Sequence, residues 1–195
     1  MLVSSFYNIV DQFFIGRTVG TLGNAATNVA FPVSTICVAL GLLFGIGGAA
    51  AFNIEMGKGN KEKAPFYIGN VVTGIMILGT IIAIGILLFL TPLLKFFGAP
   101  DNVLGYAKDY VGVTAIGIPF LIMGLGGGHI IRADGSPDFS MICNLVGAVI
   151  NIILDYLFVM VFDWQMKGAA LATIIGQFVS FALVINYLRN YKTVR

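Results

Sequence analysis

Apolar residues run along this chain in long blocks, separated by short clusters of charge. Uncharged runs cover 18–54, 64–94, 110–128, 139–154 and 168–188, and the fourth resumes beyond Asp155 as far as Phe162. Each supplies the roughly 20 residues that a membrane-spanning helix needs. With the opening stretch, the pattern predicts helices at about 1–16, 25–54, 65–93, 105–130, 138–160 and 167–188. The expected fold is an all-α membrane protein, a single bundle of six transmembrane helices over 1–195. The first helix is short for a span and reads as truncated at its N-terminal end. Pro32 and Pro119 fall inside helices and should kink them. Gly41-x-x-x-Gly45 and Gly124-x-x-x-Gly128 fit the small-residue faces that let membrane helices approach closely.

The polar exceptions are arranged. Asn144, Asn151 and Asp155 are spaced by seven and four, so they share one face of the fifth helix. Ser4, Asn8 and Asp11 do the same on the first helix. Thr173, Gln177 and Ser180 align on the sixth, Tyr110 and Thr114 on the fourth, and Asn28 and Thr35 flank Pro32 on the second. Lipid solvates none of these groups, so the stripes are expected to point inward toward one another. The two aspartates carry the strongest signal. A carboxylate at bilayer depth costs roughly 2.5–3.5 kcal/mol on insertion scales, so it normally faces a protein interior or a watery cavity. Two carboxylates with amide and hydroxyl oxygens are hard ligands, suited to a small hard cation or a shared proton.

Composition agrees with a polytopic membrane protein. Of 195 residues 58% are hydrophobic and only 10% charged, against about 25% charged in soluble domains. A net charge of +2 without a dense basic run argues against a nucleic-acid partner. Cys37 and Cys143 lie in apolar segments and read as small buried hydrophobes. Neither a nucleophile–base pair nor metal-ligand spacing lies within the spans, so no catalytic residue is assigned, no enzyme is expected, and no cofactor beyond a coupling ion. Basic residues divide unevenly between the two sides of the bundle. Lys58, Lys61, Lys63, Arg132, Arg189, Lys192 and Arg195 lie on one, and Arg17, Lys95, Lys108 and Lys167 on the other. The positive-inside rule therefore places both termini in the cytoplasm.

Six segments, in order, resemble the N-terminal half of the multidrug and toxic compound extrusion (MATE) transporters. They are Tyr7-Asn-Ile-Val-Asp-Gln-Phe-Phe-Ile-Gly16, Gly45-Ile-Gly-Gly-Ala-Ala-Ala51, Gly57-Lys-Gly-Asn-Lys-Glu-Lys-Ala64, Ile131-Arg-Ala-Asp-Gly-Ser-Pro137, Asn151-Ile-Ile-Leu-Asp-Tyr-Leu-Phe158 and Gly168-Ala-Ala-Leu-Ala-Thr173. The resemblance implies one lobe of a two-lobe, twelve-helix antiporter in the plasma membrane, exporting cationic amphipathic compounds against Na⁺ or H⁺. It places the cation site, for Na⁺ or H⁺, at Asp11, Asn151, Asp155 and Thr173, with Tyr110 lining the same cavity. Asn8, Asn144 and Gln177 are candidate cavity residues from the polar stripes. A second six-helix lobe is the implied partner, alongside the lipid bilayer. Two departures stand out: Tyr156 occupies a position usually held by proline, and the second lobe is absent from this chain. A flippase of the same superfamily for lipid-linked oligosaccharides, or a membrane scaffold that transports nothing, are the alternative readings.

Overall fold

The computed structural model describes residues 2–60 and 62–189, with the side chains of 2–7 excepted. Ser4, and the charges of Lys61, Lys192 and Arg195, therefore lie outside what is described. Seven α-helices follow one another: α1 (Leu2–Thr18), α2 (Thr21–Gly57), α3 (Ala64–Leu88), α4 (Leu90–Phe96), α5 (Asp101–Ala133), α6 (Pro137–Asp155) and α7 (Gln165–Leu188). A six-residue π-helix, Tyr156–Val161, continues α6. Among the described residues there is no strand, and α2, α3, α5, α7 and α6 with its π-helical extension are long and apolar enough to cross a membrane. At 17 residues α1 falls short of that length, as the sequence suggests. The protein is a multi-pass, all-α membrane protein.

The expected third helix, 65–93, is a correction. It breaks at Phe89, and the chain restarts as the short α4. Pro92 explains the break. It has no N–H to donate, and its ring would collide with the carbonyl four residues earlier, that of Leu88, where α3 stops. Pro32 and Pro119 act differently, because α2 and α5 are helical through them. The helices at 25–54 and 105–130 extend to Thr21–Gly57 and Asp101–Ala133. Hydropathy sees only their apolar middles, whereas the helical turns run on into the polar ends.

The long helix α5 is the centre of the lobe, packed against α2, α3 and α7, while α1 lies against α2 and α6. Its buried face combines small and apolar residues, among them Ala107, Ala115, Ile122, Met123, Ile130 and Ile131. On the outer face of α3, Ile77, Ile81, Ile84 and Leu88 stand exposed. In water such a stripe would be an aggregation liability, and in a bilayer it faces lipid.

Glycine lets the α2 and α5 backbones touch. A Cβ at Gly45 would lie 2.5 Å from the Gly126 Cα, and one at Gly41 would lie 3.3 Å from the Ile122 carbonyl. The α5 partner of the Gly41/Gly45 pair is thus Gly126, not the Gly124-x-x-x-Gly128 pair. Gly124 looks toward Ser180 on α7, and Gly128 receives the Ser140 hydroxyl of α6. On a helix, positions 124 and 128 share a face that 126 does not. Each buried methyl forced against a backbone usually costs about 1–3 kcal/mol. Gly45→Ala should accordingly lower the melting temperature of the purified protein in detergent. Gly47→Ala, with nothing within 4 Å of its Cβ, should leave it unchanged or slightly raised.

Candidate cation site

The site is built on two backbone contacts. At the α6–α7 crossing, a Cβ at Gly147 would fall 2.8 Å from the Gly176 carbonyl, and one at Gly176 would fall 2.7 Å from the Gly147 carbonyl. Only glycine fits on both sides. The crossing brings Asn151, one turn beyond Gly147, beside Thr173, just before Gly176. The Asn151 Nδ2 donates to the Thr173 Oγ1 at 3.4 Å, and that hydroxyl donates to the Ala169 carbonyl at 3.0 Å. Thr173 thereby accepts from one neighbour and donates to another, and Asn151 is left with its amide oxygen turned to neither.

Asp155 stands one turn beyond Asn151, at the last position of α6, and is 0% exposed. The helix widens immediately afterwards. In the π-helix the backbone bonds reach one residue further, as in Phe162 N–H to the Leu157 carbonyl at 3.0 Å. Single π turns are common at functional sites because they free the geometry of the flanking turn. Asp11 comes from α1 and is 5% exposed. The Tyr110 hydroxyl of α5 donates to its carboxyl group, and the Asp11 and Asp155 carboxyls are close enough for one charge to act on the other.

Four oxygens in this region stay without a donor. Asp11 Oδ1, Asn151 Oδ1 and both carboxyl oxygens of Asp155 are buried and accept no hydrogen bond from any described protein group. Buried polar atoms are normally paired, and leaving one unpaired costs about 1–3 kcal/mol, more when it is charged. The donor set is all oxygen, as a hard monovalent cation or a proton requires. The structure therefore brings Asp11, Asn151, Asp155, Thr173 and Tyr110 into one neighbourhood from four helices.

A groove of about 70 Å³ adjoins it, with Asn144, Asn151, Thr173, Gln177 and Ser180 on its polar side and Phe120 and Leu121 on the other. Asn144 and Gln177 line it as the polar stripes imply. Asn8 does not: it is exposed on α1 and absent from the groove lining. Asn28 and Thr35 also depart from the inward expectation. Both are exposed on α2, and Thr35 satisfies its hydroxyl on the Phe31 carbonyl at 2.9 Å. A helical wheel shows that two residues share a face without saying which way the face turns. Thr114 likewise closes onto its own helix through the Tyr110 carbonyl. Cys37 and Cys143 are buried free thiols.

One polar cluster escaped the sequence reading. Asp134, 0% exposed, accepts from the Tyr187 hydroxyl at 2.7 Å, and Tyr187 also meets the Ser136 Oγ at 2.7 Å. The pair ties the α5–α6 turn to the end of α7. The turn itself, with Gly135 at φ 79, was the available signal, but nothing local points to Tyr187, 53 positions away. At the neighbouring α2–α3 turn, Glu55 accepts from Lys58 and Asn60 at 2.9 Å each, which holds the Lys58 ammonium above the usual lysine range.

A family model for MatE matches residues 1–157. The chain belongs to the MatE family. It is 32% identical over 190 residues to the multidrug export protein MepA of Staphylococcus saprophyticus, and 31% identical over 195 residues to MepA of Staphylococcus aureus. The alignments take in 97% and 99% of this chain but 42% and 43% of those relatives. Among solved structures, the MATE multidrug transporter DinF-BH superposes with a TM-score of 0.89 at 36% identity, over 96% of this chain and 42% of that one. A MATE family transporter in its outward-facing conformation gives 0.89 at 27% identity, again over 96% and 42%. The chain thus spans about two-fifths of the MatE proteins it matches, and its fold is that of one lobe of a MATE-type transporter.

The Gly147–Gly176 contact generates a prediction for this MatE lobe. A methyl at Gly176 would also stand 3.0 Å from the Asn151 Cβ. Gly176→Ala should destabilise the protein by about 1–3 kcal/mol, and it should separate Asn151 from Thr173. Thermal melting of the purified protein checks this, with the melting temperature expected to fall.

Proposed function

We propose that this chain is the cation-coupling lobe of an antiporter that exports cationic, amphipathic compounds against a Na⁺ or H⁺ gradient. The observation that carries the reading is the set of donorless oxygens on Asp11, Asn151 and Asp155 at bilayer depth. Such groups are costly unless something positive meets them during the working cycle. Asp11 and Asp155 supply the charge, Asn151 and Thr173 neutral oxygens, and Tyr110 orients the Asp11 carboxyl. A cation or proton here offsets two negative charges. A cationic compound nearby prefers those charges uncompensated. The two ligands then favour different states, and that difference is all coupling requires.

Size assigns the rest of the machinery. Sites for drug-sized molecules run to roughly 300–1,000 Å³, several times the groove of about 70 Å³ on this lobe. The ion site is complete within the lobe, whereas the export cavity requires an opposing surface, the second six-helix lobe of MATE-type architecture. The exposed Asn8, Asn28 and Thr35 are polar groups that such a surface would cover. In this reading the membrane is the plasma membrane, with both termini on the cytoplasmic side.

The test is efflux of a fluorescent cationic dye from vesicles with imposed Na⁺ or H⁺ gradients, the chain being joined to a second lobe. Asp155→Asn keeps the volume and removes the charge, and should abolish the gradient dependence while the protein still solubilises as a single species. Asp11→Asn should do likewise. Gradient-driven efflux that survives in Asp155→Asn at the unsubstituted rate rules the mechanism out.

A further inference from the structure

Away from the candidate cation site, the start of α3 carries a polar group of its own. Lys63, Phe66, Tyr67 and Asn70 line a cleft on the outer surface of the protein, and all four are exposed. Steps of three and four residues put them on one face of the helix. The same face continues as the exposed apolar stripe of Ile77, Ile81 and Ile84 and ends at Leu88. A helix rises about 1.5 Å per residue, so Asn70 stands roughly 27 Å from Leu88, close to the ~30 Å thickness of the hydrocarbon layer. With Leu88 at one boundary of that layer, Asn70 lies at the other, and Lys63 lies about two turns further out, among the headgroups. Tyr67 falls between them, at the depth where aromatic rings with a polar tip collect.

The charges around the cleft are unequally committed. Of the two glutamates in the α2–α3 turn, Glu55 is held by Lys58 and Asn60, and Glu62 is exposed without pairing to Lys63. Lys63 has no carboxylate within ion-pair distance among the described residues, and the Asn70 amide has no hydrogen-bond partner among them. The Lys58 ammonium lies near enough to feel the Tyr67 hydroxyl, and Lys63 near enough to act on Glu55, so both cations stand over one turn. Beyond the far end of α3, by contrast, the Lys95 ammonium meets the Asp101 carboxylate at 3.6 Å.

We infer that this cleft holds the headgroup phosphate of an anionic phospholipid, taken from the leaflet on the side of the α2–α3 turn, with one acyl chain lying along Ile77, Ile81 and Ile84. Lys63 supplies the charge, the Tyr67 hydroxyl and the Asn70 amide donate to phosphate oxygens, and the Phe66 ring covers the first methylenes of the chain. An amide turned outward at the edge of the hydrocarbon layer needs such a partner, because lipid tails offer none. A zwitterionic headgroup would bring a cation as well, and the Glu55 carboxylate that could meet it is already held. The inference does not depend on the coupling-site reading.

Native mass spectrometry of the purified protein, released from a neutral detergent, tests this. Phosphatidylglycerol and phosphatidylcholine with the same acyl chains are offered at equal concentration, and the protein should retain phosphatidylglycerol severalfold better. Lys63→Gln should lower that retention about fivefold, equivalent to the ~1 kcal/mol that one basic residue contributes near an anionic leaflet. Asn70→Leu leaves the net charge alone and should also lower it severalfold. Phosphatidylcholine retention should stay level in both. Lys95→Gln removes the same charge beyond the other end of α3 and should change neither lipid. All three side chains are exposed, so melting temperatures should match that of the unsubstituted protein. Equal retention of the two lipids by the unsubstituted protein overturns the site. A loss in Lys95→Gln as large as that in Lys63→Gln, or full retention in Asn70→Leu, also overturns it, since diffuse surface charge then accounts for the preference. Displacement of phosphatidylglycerol by excess inorganic phosphate overturns the lipid as occupant in favour of a soluble phosphate.

Discussion

A carboxyl group at bilayer depth must find its partners inside the protein, and in this lobe Asp155 finds no donor for either oxygen. That imbalance organises the molecule. Lipid offers nothing in exchange, so the residues around Asp155 must either exclude everything or admit something positively charged. Val159 and Ile15 are fully buried near it, and amides and hydroxyls of α6 and α7 line the adjoining groove.

Close helix approach is what makes the arrangement rigid enough to matter. Helices in a bilayer gain little from hiding apolar surface from one another, so backbone contact at small residues has to hold them. Gly45 against Gly126 sets α2 on α5, and Gly147 against Gly176 sets α6 on α7. The second crossing lies within four residues of both Asn151 and Thr173, so the contact that holds two helices together also sets the spacing of those two side chains. A change at these glycines is therefore felt in stability and at the site at once.

The sequence disclosed the site's own helix faces better than their surroundings. The 144–151–155 and 173–177–180 spacings place their residues on the faces that line the groove or approach Asp155, because a helical period is a local property. Asn28 and Thr35 share a face just as clearly, yet that face turns outward on this chain, since period says nothing about direction. The break at Phe89 was written in Pro92 but hidden by a hydropathy run that continues past it. The hydrogen bond from Tyr110 to Asp11 and the Tyr187–Asp134 clamp join positions 99 and 53 apart. No spacing rule reaches that far. For Tyr110 the family resemblance named the residue, whereas for Tyr187 nothing did.

The π-helix after Asp155 connects these observations. An α-helix continued through Tyr156–Val161 would keep each side chain on the 3.6-residue period, whereas a π turn shifts the following residues around the axis. Tyr156 occupies the position where the resemblance leads one to expect proline, and proline also disrupts the backbone bonding of the turn before it. In this chain the loosened turn next to the buried carboxyl comes from the π-helix. A loosened turn lets the apolar packing around Val159 and the polar groove meet at one residue without forcing either into the other's register. Asp155 sits at that boundary, where any change in its charge would act on both.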